Sequence, residues 1–125
     1  MSNINLKATE YTPEIILDKQ KNLIFIKGNS FPENTFEFYK EIVSWIKAYF
    51  KEGGQTPKIT IDINYFNSSS SQQFFDIFDI FEEASSDNTI EVQWLYDVNN
   101  ESAQEAGEDF IEEFESLNIH LIKKT

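Results

Sequence analysis

Apolar residues recur along the chain with two periodicities, which together predict eight secondary-structure elements. Short β-branched runs predict strands, and longer segments with apolar residues three or four apart predict helices. The predicted strands are Glu14–Leu17, Leu23–Ile26, Lys58–Phe66, Ile90–Tyr96 and Ile119–Ile122. The predicted helices run from about Asn34 to Phe50, from the serine run 68–71 to the polar stretch 85–88, and from about Glu101 to Glu115.

This order, β-β-α-β-α-β-α-β, predicts a single α/β domain over residues 1–125. The first two strands are separated by the polar loop 18–22, so we expect an antiparallel hairpin. Strands alternating with helices favour a mostly parallel remainder with right-handed crossovers. The whole is therefore expected to be a mixed sheet with three helices.

Helical spacing also predicts which side chains face the core. The first helix should turn inward Phe36, Tyr39, Val43, Ile46 and Phe50; the second Phe74, Ile77, Phe78 and Phe81; and the third Ala103, Ala106, Phe110 and Phe114. In the strand 58–66, Ile residues alternate with Thr60, Asp62 and Asn64, the pattern of a half-buried strand. Gly53 and Gly54 should end the first helix, and no Lys-Ser/Thr follows them as a phosphate-binding loop requires.

Composition narrows the class of function. The chain has 125 residues, 40% hydrophobic, with twelve Phe, and a formal net charge of −12. All ten basic residues are Lys, and residues 59–122 contain fifteen acidic residues and no Lys. Because phosphate contacts need clustered Lys and Arg, this charge disfavours nucleic-acid binding and attraction to anionic membranes.

Other features exclude further classes. The absence of Cys excludes disulfides, thiolate metal sites and cysteine nucleophiles. A reducing compartment is the simplest setting for such a protein. The first residues lack the basic and apolar regions of a secretory signal, and no apolar run approaches the length of a membrane span. We therefore expect a cytoplasmic protein.

The serine run 68–71 is the main candidate site, because it lies where a strand ends and a helix begins. Ser and Asn commonly cap helices there, but one cap suffices, and four consecutive serines exceed that need. A helix N-terminus also favours a phosphoryl group, and a hydroxyl on the loop side of this junction would be accessible to a kinase. The run, beginning at Ser68, is therefore expected to cap the helix and to offer a hydroxyl group that could be phosphorylated.

Three other features carry weaker signals. Glu101, Glu105, Glu108 and Glu112 share one face of the third helix, where a solvated surface is the simplest interpretation. The single histidine, His120, has no Ser or Cys partner and is expected to be structural. Asp97 ends its strand at the same sheet edge as the serines if the strands are parallel.

Several segments, in order along the chain, resemble the SiaC family of bacterial regulatory phosphoproteins, which are similar to the STAS fold of anti-sigma-factor antagonists. These segments are 12–15, 28–34 with Phe38-Tyr39, 61–70, 76–79, 92–97 and 105–110. The resemblance implies a partner switch. A dedicated kinase would phosphorylate a hydroxyl in the Asn-Ser-Ser-Ser segment, a PP2C-type phosphatase would restore it, and the unmodified form would bind a diguanylate cyclase of cyclic-di-GMP signalling.

Carried over residue by residue, the resemblance assigns the phospho-acceptor to Ser68, with Ser69 as second choice. The partner surface would include Asn67, Ser68, Ser69, Ser70, Tyr96 and Asp97. Two positions depart from the family pattern: Ser68 stands where Thr is expected, and Val98-Asn99-Asn100 replaces a denser acidic run. No cofactor is implied, and a monomer is the simpler state for a surface that exchanges partners.

Two alternatives from other classes remain. One is a small-ligand or nucleotide-binding module with a cleft around Ser68 and Asp97. The other is a carboxylate-dependent enzyme with a metal ion held by Glu105, Glu108 and Glu112, although the residues suggest no convincing catalytic set.

Overall fold

The computed structural model describes residues 2–124 and contains nine elements in this part of the chain. The strands are β1 Ile4–Leu6, β2 Glu14–Asp18, β3 Leu23–Ser30, β4 Lys58–Phe66, β5 Glu91–Asp97 and β6 Asn118–Lys124. The helices are α1 Thr35–Lys51, α2 Ser68–Ala84 and α3 Glu101–Glu113. The eight predicted elements are all present, and β1 is an addition to them.

The strands form one sheet in which spatial order follows chain order, β1-β2-β3-β4-β5-β6. β1, β2 and β3 pair antiparallel, whereas β3, β4, β5 and β6 pair parallel. The predicted mixed, mostly parallel sheet with an initial hairpin is therefore confirmed. Since parallel crossovers are right-handed and the strand order is sequential, the three helices lie over the same face of the sheet.

The core lies between this sheet face and the helices. Tyr39 of α1 meets Phe74 of α2 with ring centroids 5.7 Å apart, and Phe78 of α2 meets Phe110 of α3 at 4.5 Å. Trp94 of β5 lies under both α2 and α3 and is fully buried. The aromatic residues thus join all three helices to the sheet in one apolar layer.

Strand β1 was missed because it has only three residues, too few for a periodic signal. Its Ile4 and Leu6 pair with Leu17 and Ile15 of β2, which extends the helix-covered face by one antiparallel edge strand.

The prediction that β4 is half-buried was wrong. Thr60 and Asp62, on the face without helices, are 6% and 4% exposed. Thr60 is flanked in register by Phe25 of β3 and Gln93 of β5, and the Asp62 carboxylate pairs with Lys124 Nζ at 2.9 Å. A central strand is covered laterally by its neighbours, which alternation within its own residues does not reveal.

Candidate functional site

The parallel strands β3, β4 and β5 end at one edge of the sheet, where the three helices begin. We call this region the strand-end edge; it comprises residues 30–36, 64–69 and 97–102 and the adjoining segment 9–13. Each helix begins after an asparagine whose side-chain oxygen accepts a backbone N–H of the first turn. These pairs are Asn34 with Glu37 at 3.2 Å, Asn67 with Ser70 at 2.9 Å and Asn100 with Ala103 at 3.0 Å.

These pairs correct the expected role of Ser68. Asn67 is the N-cap of α2, so Ser68 is the first residue inside the helix and its hydroxyl is not needed as a cap. Ser68 and Ser69 are both exposed. Their hydroxyl groups therefore face solvent on the first turn of α2, where backbone N–H groups and the helix dipole favour negative charge.

Ser70 lies on the opposite side of the same turn and is fully buried. Its Oγ accepts a hydrogen bond from Ser30 Oγ at 2.8 Å, and Ser30 Oγ lies 2.5 Å from the Tyr39 hydroxyl. Since Ser30 has one hydroxyl hydrogen and gives it to Ser70, Tyr39 is the donor to Ser30. Burial raises the pKa of Tyr39 well above its ordinary value, against the smaller lowering effect of its hydrogen bond to Ser30, and keeps this hydroxyl protonated.

Ser70, expected to belong to the partner surface, has a side chain that is fully buried in this structure. Its hydroxyl joins the start of α2 to β3 and α1 in a chain of three buried hydroxyl groups. Sequence reasoning missed this chain because its members are separated by up to forty residues. Ser71 is half-buried and lines a groove between α2 and α3 together with Ser102 and Glu105.

A bulge in β4 determines which side chains this edge presents. The pairing of β3 with β4 shifts after Gly28, so Asn29 pairs with Tyr65 and the residue Asn64 is extra. The shift turns Phe66 toward Phe74, at 5.5 Å between ring centroids, and leaves Tyr65 56% exposed. Strict alternation from Ile63 would have placed Tyr65 inside, so the bulge reverses the two faces.

Tyr96 and Asp97 occupy the end of β5. Asp97 is exposed and accepts the backbone N–H of Asn99 at 3.2 Å, whereas Tyr96 is half-buried and packs against the core. Asp97 lines an open groove of about 770 Å³ with Asn64 and Glu101. Ser69 lines a different groove, with Glu33 and Phe36. Ser69 and Asp97 thus lie at the same edge but line separate grooves, which disfavours a single ligand cleft formed by both.

An apolar groove at this edge was not foreseen from the residues. Tyr11, Phe31, Pro32 and Phe38, with Thr9, Thr12 and Glu33, line a groove of about 760 Å³, which we call the aromatic groove. The ring of Phe31 lies edge-on to Tyr11, with centroids 5.3 Å apart, and to Tyr65 at 5.6 Å. The signal in the sequence was the pair Phe31-Pro32 directly after a strand, which by itself indicates only a strand end.

The grooves at the strand-end edge are lined by charges of one sign, although β6 also ends at this edge with Lys123 and Lys124 beside Tyr96 and Asp97. Four grooves open there, and the charged residues that line them are Glu33, Asp97, Glu101, Glu105 and Asp109. A groove at the far end of α1 and α2 is lined instead by both signs, with Lys47 and Lys51 opposite Glu83 and Asp87. Acidic side chains and no basic ones therefore line the grooves that adjoin the serines.

The remaining candidates are dispersed. Glu105, Glu108, Glu112 and His120 are all exposed. Across residues 2–124, no group of three acidic or histidine side chains is arranged to hold a metal ion. In the same range, no helix combines the length and apolar character needed to span a membrane.

Comparison with known proteins identifies what this arrangement resembles. The family model described as "SiaC family regulatory phosphoprotein" matches residues 6–124. A protein of Pseudomonas aeruginosa strain UCBPP-PA14, described as uncharacterized, is 31% identical over 114 residues, which are 90% of each chain.

Solved structures show the same fold. SiaC of Pseudomonas aeruginosa superposes with a TM-score of 0.89 at 27% identity, covering 99% of this chain and all of the other. A chain from the crystal structure of the diguanylate cyclase SiaD in complex with its activator SiaC, also from P. aeruginosa, matches with a TM-score of 0.90 at 28% identity, covering 97% of this chain and 99% of that one. The protein is thus a member of the SiaC family of regulatory phosphoproteins.

Proposed function

We propose that this chain is a non-catalytic, cytoplasmic switch whose unmodified form binds and activates a diguanylate cyclase, and whose phosphorylation on Ser68 ends that binding. Ser69 is the second choice of acceptor, and a dedicated kinase and a PP2C-type phosphatase set the modification state. The observation that carries the proposal is the exposure of Ser68 and Ser69 on the first turn of α2, directly beside the fully buried Ser70.

Accessibility supports the choice of acceptor. A kinase must bring the acceptor hydroxyl into its active site. The exposed side chains of Ser68 and Ser69 permit this, whereas the buried Ser70 would become accessible only if the start of α2 unfolded. Because Asn67 caps the helix, Ser68 can be modified without loss of the cap. The N-terminal turn also stabilises a phosphate through its free N–H groups and dipole.

Charge and bulk explain the direction of the switch. A phosphoserine adds nearly two negative charges. The charged residues lining the neighbouring grooves are acidic, so none of them can pair with it. A partner that covers the first turn of α2 would have to remove water from this dianion, which is costly unless the charge is paired. Phosphorylation therefore opposes docking and leaves the free protein folded.

The partner class comes from the family comparison. SiaC is the activator in the matched complex with the cyclase SiaD. The similarity covers 97% of this chain with a TM-score of 0.90. We therefore propose a diguanylate cyclase as the partner of this chain, which would be a monomer when unbound.

Acceptor mapping and binding test the proposal together. The chain is incubated with the kinase of its own system and ATP, and modified residues are located by mass spectrometry; modification at Ser68 or Ser69, and its removal by the phosphatase, is the expected result. In a pull-down with the cyclase, Ser68→Asp should weaken binding and Ser68→Ala should preserve it.

Ser86→Asp is the matched control, because it adds the same charge to an exposed serine just beyond the other end of α2. Unmodified Ser68 and Ser69 after complete reaction would overturn the proposal. Equal weakening by Ser68→Asp and Ser86→Asp would also overturn it.

A further inference from the structure

The apolar side chains that face solvent are concentrated at the strand-end edge. Within the described residues, the four most exposed large apolar side chains are Phe36 at 62%, Tyr65 at 56%, and Tyr11 and Val98 at 54% each. All four belong to this edge, and Phe36 is exposed although helical spacing predicts it to face the core. Clustered exposed aromatic residues are typical of a binding surface rather than of a solvated one.

The aromatic groove beside these residues is held in shape by its own contacts. The backbone N–H of Phe31 donates to the Tyr11 carbonyl at 2.8 Å, and Thr9 Oγ1 accepts the N–H of Thr12 at 3.0 Å. The edge-on packing of Phe31 against Tyr11 and Tyr65 adds side-chain restraint. A groove formed before binding costs less ordering entropy when a partner enters it.

The groove is continuous with the surface of the serine run. Glu33 lines the aromatic groove and also the neighbouring groove that contains Ser69 and Phe36. A chain lying in the aromatic groove and passing Glu33 would therefore reach the first turn of α2. The same edge would then both bind the partner and sense the modification.

The charge of the grooves indicates which class of partner can bind there. The charged residues lining the four edge grooves are acidic, and the chain carries a net charge of −12. A second copy of this chain would bring the same negative charge to the groove, and an anionic lipid surface would be repelled. A positively charged protein segment complements the edge.

We propose that the aromatic groove binds a segment of the partner protein that inserts an apolar side chain between Phe31 and Phe38 and carries Lys or Arg residues beside Glu33. This inference rests on the proposed function in one respect: the partner is the protein whose binding is controlled by phosphorylation of Ser68 or Ser69. The apolar insertion supplies most of the affinity, and the basic residues supply orientation and rate of association.

Two synthetic peptides of equal length test the chemistry of the occupant without kinase or cyclase. They share one pattern of Leu and Phe, and one is flanked by Lys where the other is flanked by Glu. Binding is followed by backbone-amide NMR titration at low ionic strength. The Lys-flanked peptide should shift the amides of residues 9–12 and 31–38 and bind about fivefold or more tightly than the other.

Variants show whether binding occurs in the groove. Phe31→Ala and Tyr11→Ser should each weaken binding of the Lys-flanked peptide about tenfold. The matched controls Ile111→Ser and Ile122→Ser, exposed apolar residues outside the strand-end edge, should leave binding of the peptide unchanged. The same spectra show that each variant is folded. Glu33→Lys should remove the preference for the Lys-flanked peptide.

Three results would overturn the inference: equal binding of both peptides, no binding of either, or shifts confined to other surfaces. If the amide signals of residues 9–12 and 31–38 shift as the protein concentration is raised without peptide, the groove binds a second copy of the chain instead. If the groove takes the basic peptide but Ser68→Asp leaves cyclase binding unchanged, the proposed switch fails and the groove assignment stands. The reverse result would reject the groove and keep the switch.

Discussion

The two ends of the helical layer differ in how they use polar residues. At the far end, where α1 and α2 finish, Lys19 Nζ pairs with Glu52 Oε1 at 3.0 Å. The buried side chain of Asn88 bonds to Phe50 of α1, to Ala84 of α2 and to Gln55 in the loop after α1. At the strand-end edge, acidic groups and aromatic rings face solvent. The polar residues of the far end therefore stabilise the fold, whereas the exposed residues of the strand-end edge can contact a partner.

Removal of the far-end amide should have the largest effect on stability. Asn88 accepts the N–H of Gln55 at 2.8 Å and donates to the carbonyl of Ala84 at 2.9 Å. Asn88→Ala leaves these buried groups without partners, so the free energy of unfolding should fall by about 2–3 kcal/mol.

Chemical denaturation measures this loss. Asn99→Ala at the strand-end edge is the matched control, because Asn99 is exposed, and it should change stability by less than about 0.5 kcal/mol. A larger loss for Asn99→Ala than for Asn88→Ala would contradict the comparison. Cyclase binding by the folded Asn88→Ala protein should remain unchanged.

The buried hydroxyl chain gives an intermediate effect. Ser30→Ala removes the central member and leaves the Tyr39 hydroxyl buried without its acceptor, so stability should fall by about 1–2 kcal/mol. Tyr39→Phe removes only the donor and keeps the Ser30–Ser70 bond, so its cost should be smaller.

Denaturation of both variants, and hydrogen exchange at residues 68–71, checks this order. Faster exchange at 68–71 is expected in Ser30→Ala and not in Tyr39→Phe. A greater loss of stability in Tyr39→Phe would contradict the assigned direction of the hydrogen bonds.

The cap of α2 should contribute about 1 kcal/mol. Asn67→Ala removes the acceptor for the Ser70 N–H, whereas Asn67→Asp keeps an acceptor at the same place. Thermal or chemical unfolding should therefore show a loss in the first variant and little change in the second. Equal stability of Asn67→Ala and the unmodified chain would show that Asn67 does not cap the helix.

The smallest predicted effect on stability comes from placing a negative charge at one end or the other of α2. Ser68→Asp places negative charge at the favourable N-terminus of α2 and should raise stability by about 0.5 kcal/mol. Ser86→Asp lies just beyond the C-terminus and should lower it slightly. Denaturation at low and high salt checks both, since the difference should shrink as salt screens the charges. A difference that persists in high salt would contradict the dipole explanation.

Local patterns predicted much of the fold. The bounds of β4 and the start of α2 at Ser68 agree with the prediction, and the four predicted inward residues of α2, Phe74, Ile77, Phe78 and Phe81, are fully buried. These features depend on residues that are neighbours in sequence, so periodicity and turn residues are sufficient to indicate them.

The errors depend on residues that are distant in sequence. Asp62 is buried because Lys124 reaches it across the sheet, and Ser70 because Ser30 and Tyr39 surround its hydroxyl. Tyr65 is exposed because of a bulge in pairing with β3. Phe36 follows the helical spacing, yet it lies in the first turn of α1 at the strand-end edge and stays exposed. No pattern within one segment contains this information.

The most direct test of the account is the affinity of the cyclase for the chain carrying phosphoserine at position 68. Titration calorimetry would compare this form with the unmodified chain and with Ser86→Asp. The account predicts that phosphorylation weakens binding about tenfold or more, equivalent to about 1.4 kcal/mol, and that Ser86→Asp binds as the unmodified chain does. Equal or tighter binding by the phosphorylated form would contradict it.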